Sequence, residues 1–314
     1  MPVFEQGYRP YTGTITRRSP IPSMIWHNVR TRIRWYIWLL SAGLMAYPYV
    51  VFGVMVFLFT AGQALFGMGL PGTAGGLPET AVAFDAARGM DPGRMLAMLT
   101  ATTAKGALPL YWNVMHQASF AALVLPAVAC GGILASDRTT GAMQIYFARP
   151  VTRFQYMVSK VLSVALFTAL VTAVPTLAIW LETVAFSPDP LFIVRTWMAP
   201  FAIIAASAFY GLWSASVILT LSTLLKRPVL TSIGAIFLYL LLSMLGEQVS
   251  RGVGDKMWRI LSPHYAIGGF TAPLFGMDLP EWLNTPWLAV PALIVPLALL
   301  AFVWSRVRAV EVTT

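Results

Sequence analysis

An all-α polytopic membrane protein with six transmembrane helices is the fold class this sequence predicts, on three observations. Hydrophobic residues make up 58% of the 314, charged residues 11%, and mean hydropathy is +0.71, outside the range of soluble domains. Six stretches reach the length of about 20 apolar residues that a hydrocarbon core demands, at roughly 36–60, 109–135, 157–186, 199–224, 228–246 and 286–305. The 21 Lys and Arg gather at the borders of those stretches rather than on a soluble surface, which sets aside nucleic-acid binding as the reason for the +9 charge.

Residues 1–22 are rich in Pro, Gly, Thr and Arg and read as an irregular arm. From Ser23 the pattern becomes helical. Ile25, Trp26, Val29, Ile33 and Tyr36 share a stripe about 100° wide, His27, Arg30 and Arg34 face away, and Arg32 sits at the edge, where it can snorkel. Residues 23–35 are therefore expected to form an amphipathic helix in the membrane interface, anchored by Trp26 and Trp35 with Arg30, Arg32 and Arg34. The simpler alternative is a basic flank continuous with span one. The domain boundary is placed after residue 35, with 36–314 forming one six-span domain.

Residues 61–108 form a long outer segment, Gly-rich from Gly67 to Gly76, with a helix expected from Pro92 to about Lys105 and Asp91 as its cap. Spans four and five are separated by Leu225, Lys226 and Arg227 alone, a tight helical hairpin. Pro175, Gly234, Pro291 and Pro296 fall within spans, which membrane helices tolerate. The connection 187–198 is short and carries Pro188 and Pro190, whereas 247–285 is long, with Trp258, His264, Tyr265 and Trp282 among the breakers Pro263, Pro273 and Pro280. The first thirty residues contain no apolar run of signal-peptide type.

Orientation follows from the cations. With the N-terminus cytoplasmic, the inner side holds Arg9, Arg17, Arg18, Arg30, Arg32, Arg34, Arg138, Arg149, Arg153, Lys160, Lys226, Arg227, Arg306 and Arg308. The outer side holds Arg88, Arg94, Lys105, Arg195, Arg251, Lys256 and Arg259. The excess of the first group predicts both termini in the cytoplasm. It also puts the polar connection between spans two and three, residues 137–160, on the cytoplasmic side.

That connection is the most informative stretch. It reads as a short helix ending in Arg149-Pro150, with Met143, Tyr146 and Phe147 on one face. Such a face suits docking into a groove; the bland alternative is a loop whose aromatics rest in headgroups. The run Asp137-Arg138, Gly141, an apolar stretch, Arg149-Pro150, Arg153, Tyr156 and Lys160 resembles the cytoplasmic coupling segment of ABC-2-type exporter permeases. The six-span layout extends the likeness over most of the chain, and Ala142-Met143 departs from it where a small residue and a hydroxyl would be expected.

The resemblance implies a permease subunit in a bacterial cytoplasmic (inner) membrane. It implies an elbow helix before span one and a coupling segment at 137–156. It also implies a second permease subunit, identical or homologous, and a separate ABC ATPase contacting Asp137, Arg138, Gly141, Met143, Tyr146, Phe147, Arg149, Pro150 and Arg153. No GxxxxGK[ST] phosphate loop occurs in the sequence, so ATP and Mg are expected on the partner ATPase and no cofactor in this chain. The likeness also suggests that Leu261-Ser262-Pro263-His264-Tyr265-Ala266 belongs to short helices dipping into the outer leaflet. It leaves the substrate open among lipidic molecules, drugs, peptides and polysaccharides.

Other polar positions within spans are few. Asn113, His116 and Gln117 share one face near the outer end of span two, where they would line a translocation path or bond to a neighbouring helix. Glu182 lies about 33 Å along span three from Lys160, close to the outer interface. Ser207, Gly211 and Ala215 recur every four residues on span four, a spacing for close helix packing inside the bundle or at a subunit seam. His27, His116 and His264 lie in different regions and give no metal spacing, and the one cysteine, Cys130, reads as a small buried hydrophobe. The rival readings are a mechanical or assembly component passing ATPase work to an extracytoplasmic partner, an ion-driven transporter and, more remotely, a membrane enzyme. The ion-driven transporter lacks mid-membrane charge, and the enzyme lacks clustered acids, bases or ligands.

Overall fold

The structure is a computed structural model that describes residues 19–32, 43, 50, 54, 104–142, 151–186, 192–277 and 289–307. Every regular element among them is helical. The helices are α1 (Ile21–Arg32), α2 (Ala104–Gln117), α3 (Ser119–Cys130), α4 (Ile133–Thr139), α5 (Arg153–Phe186), α6 (Phe192–Arg195), α7 (Ala199–Leu224), α8 (Pro228–Val253), α9 (Pro263–Thr271) and α10 (Ala289–Arg306). Two 3-10 turns, Lys256–Leu261 and Ala272–Phe275, flank α9. Four helical stretches are long and apolar enough to cross a membrane: Ser119–Thr139, Arg153–Ala185, Ala199–Leu224 and Pro228–Val253; Pro291–Arg306 is shorter. They correspond to the expected spans two to five. The expected first span, 36–60, and most of the outer segment 61–108 lie outside the described residues.

The expected second span is not one unbroken helix. α2 runs into α3 through Ala118, whose N–H still bonds Val114 O, but the rod breaks at Gly131-Gly132 before resuming as α4. A break strips the next turn of its intrahelical acceptors. Ser222 of α7 supplies one: its Oγ accepts from Leu134 N at 3.1 Å and Ala135 N at 2.9 Å. The glycines are there because α8 presses on the break. A Cβ at Gly131 would lie 2.2 Å from Ser232 Oγ, and one at Gly132 2.3 Å from Pro228 Cβ.

α7 is the central post, packed along α5 and against α3, α8 and α10. Its small stripe allows this. Ser207 and Ala215 are buried, and a Cβ on Gly211 would meet Ala165 O of α5 at 2.7 Å. The facing side of α5 carries buried Thr168, Thr172 and Thr176, whose hydroxyls donate to carbonyls four residues back, which lets polar side chains lie in an apolar seam. Two apolar clusters result. One, at the Asp137 end, gathers Met24, Leu134, Met157, Phe167, Ile218 and Val303; the other, at the His264 end, gathers Tyr111, Ile203, Phe209, Trp213, Ile267 and Phe275.

α8 departs from this pattern. Of its most apolar 18 residues only 22% are buried, against 72% for α7. Val229, Ile233, Phe237, Leu240 and Met244 form an exposed apolar stripe along it. The helix continues past the expected end at 246 because Glu247 and Arg251 pair at 3.1 Å on its last turns. It stops at Gly254, which adopts φ +76° and donates its N–H to Ser250 O.

Candidate functional site

The two ends of the coupling-like run meet. Tyr156 and Lys160 stand one turn apart on α5, so both project toward α4. Lys160 Nζ lies 2.7 Å from Asp137 Oδ2, with 2% and 13% of the two side chains exposed. Tyr156 donates its hydroxyl to the same carboxylate oxygen at 2.7 Å, and the Lys160 ammonium lies 5.3 Å from the Tyr156 ring centre. The connection from 137 to 160 is thus clasped at its base by a buried, charge-assisted pair.

A third element joins it. Asn28, buried on α1, accepts from Lys160 Nζ at 3.0 Å through Oδ1 and donates through Nδ2 to Ser163 Oγ at 3.2 Å. Ser163 passes its own proton to Ser159 O at 2.6 Å. Donors and acceptors alternate without conflict from α1 through α5 to α4. Burial of an ammonium is tolerable only with such partners.

Neighbouring motif residues tie this end to the rest of the bundle. Arg138 donates through Nη1 to Thr223 O at 2.6 Å, covering a carbonyl in the last turn of α7. The Arg153 guanidinium stacks over the Trp304 ring of α10 at 4.7 Å. Gly141 ends α4 with φ +69°, a conformation that disfavours any side chain, so the glycine of the run is the turn out of the membrane-spanning rod. Met143, Tyr146, Phe147, Arg149 and Pro150 lie outside the described residues.

On α1 the buried face is Met24, Asn28 and Val29, packed on α5, while Trp26 is 66% exposed and His27 and Arg30 point outward. Of the stripe expected to lie in the membrane interface, Val29 is buried and Trp26 is exposed. Arg32 is the last described residue of α1; Arg34 and Trp35 lie outside the described residues. Asn28 was not legible as a site residue. The one signal for it is a carboxamide sitting among Met24, Ile25 and Val29 at helical spacing.

The expected path-lining set divides. Gln117 is exposed, Asn113 half-buried, and His116 sits between rings, 4.8 Å from Trp112 and 3.8 Å from His264. His264 meets Ser119 Oγ at 2.6 Å, Ser119 lies 3.2 Å from Tyr239 Oη, and Trp112 donates to Gly268 O at 3.1 Å. Tyr265 and Arg259 extend the group to Glu247 of α8. Burial lowers the pKa of His264, which lies outside the candidate spans, to about 4. These contacts pack α9 against α2, α3 and α8. No group of three or more metal-ligating side chains occurs among the described residues.

Fold and site define a polytopic helical membrane protein with a clasped polar connection between two spans. The family model described as "ABC-2 family transporter protein" matches residues 26–275, and the chain belongs to that family, a transmembrane component of ABC transporters. No curated protein and no solved structure matches it.

Proposed function

We propose that this chain is the permease subunit of an ABC exporter, moved by a separate ATPase that docks on the 141–150 helix. Permeases of this family work with ABC ATPase subunits. Two permease subunits, identical or homologous, would enclose the path in a bacterial cytoplasmic membrane, with both termini inside. The observation that carries the reading is the clasp: Asp137, Tyr156 and Lys160 close the base of the connection, so a push on the segment between them is delivered to α4 and α5 together. Nucleotide-driven closure of the ATPases would shift those two helices against α7 and release substrate on the outer face.

The Met143, Tyr146 and Phe147 face supplies the apolar contact of docking, and Arg149 an ionic one. Phe147→Asp is expected to leave membrane insertion intact while the ATPase no longer copurifies or its ATP turnover no longer responds to the permease. Unchanged copurification and turnover would remove the docking assignment. A mechanical component handing ATPase work to an extracytoplasmic partner would share this apparatus, and ATP-dependent efflux from reconstituted vesicles separates the two.

A further inference from the structure

We infer that Lys160 is a positioning residue that makes α1, α4 and the foot of α5 one mechanical unit, with Asn28 as the link to α1. The inference rests on the permease reading above and names how the coupling segment is held. Over its described residues, Ile21–Arg32, α1 packs along α5. Among the described residues its buried face is Met24, Asn28 and Val29, and Asn28 makes a directional bond to the ammonium that also holds Asp137.

Lys160 is the branch point. Its ammonium has three donors; one is directed at the carboxylate of α4 and one at the carboxamide of α1, while its backbone belongs to α5. An apolar residue there would pack but would not couple the orientations of three helices. A buried pair is a weak source of net stability compared with an apolar replacement of similar volume, so its presence calls for a specifying role. Around it stand Tyr156, Ser159 and Ser163 of α5 and Asn28 of α1, with Arg138 turned away to α7 and Arg153 to α10. The ammonium and the Asp137 carboxylate pair inside the joint.

The test is hydrogen exchange on the full chain in lipid nanodiscs, combined with ATP turnover of the assembled complex. The paired variant Asp137→Asn/Lys160→Met removes both charges and keeps shape. It is expected to melt close to the wild type, yet to raise amide exchange of α1 about tenfold or more, with α4 loosening in parallel and α7 unchanged. Asn28→Leu should loosen α1 alone, and Lys160→Arg should preserve most of the protection. In the complex, the paired variant should lose the permease-dependent part of ATP turnover. Unchanged exchange in α1, or loosening with fully retained ATP coupling, overturns the inference and leaves the network a packing feature. A wild-type chain that neither retains nor stimulates an ATPase sinks the permease reading instead, and exchange alone then decides whether the three helices are tied.

Discussion

Lys160 carries its charge to a place where 2% of its side chain is exposed, so the consequences of removing one partner and of removing both should differ. Lys160→Met alone strands the Asp137 carboxylate and is expected to cost about 3 kcal/mol or more, whereas adding Asp137→Asn should recover most of that loss; thermal unfolding in detergent compares the two. Gly211 makes a sharper steric claim. A β-carbon there would lie 2.7 Å from a backbone oxygen of α5, which cannot swing aside like a flexible side chain. Gly211→Ala should lower stability by about 1–3 kcal/mol, read from the same melts. Sequence reasoning picked out Asp137, Tyr156, Lys160 and Gly211 but not their contacts. Spacing reveals which residues share a face of one helix, while partners across helices depend on how separate helices are rotated against one another. Asn28 was missed for a related reason: hydrophobic periodicity registers a carboxamide only as an interruption.

Helix boundaries obeyed different signals from hydropathy. α1 opens at Ile21, just after Pro20 and two residues before the expected start, while its expected end at 35 lies outside the described residues. α8 outlasts its apolar run by seven residues because an ion pair continues it to Gly254. Span two looked continuous because glycine is neutral in a hydropathy window, and the contact that demands Gly131-Gly132 comes from α8. At the other end, α9 docks through His264, whose proton uptake is held down to about pH 4 when folded but occurs near 6.5 once the chain unfolds. The unfolded form therefore takes up the proton first as pH falls. Stability should decline from about pH 6.5 toward 4, with His264→Gln flattening the profile, as measured by melting temperature between pH 7 and 5.

For the whole molecule, composition sufficed to predict a helical membrane chain, and four of the expected spans are helical stretches of spanning length, span two with its break at Gly131-Gly132; span six is represented by the 18 described residues of α10. Sidedness rests on the cation count, and Thr140, exposed just beyond α4, gives it a handle. With Cys130 replaced by alanine, Thr140→Cys is expected to resist an impermeant thiol reagent outside intact cells and to react in inverted vesicles. Labelling from outside would reverse the topology. The longest helix among the described residues adds a consequence of scale. α5 extends over 34 residues, about 51 Å, and meets Gly211 of α7 at Ala165. That point divides it into arms of about 18 Å toward Arg153 and about 32 Å toward Phe186. Tilted about this fulcrum as a stiff bar, α5 would turn a short stroke at its clasped foot into nearly twice the sweep at its far tip, and Pro175, seated on the longer arm, is where that gain would be lost to bending.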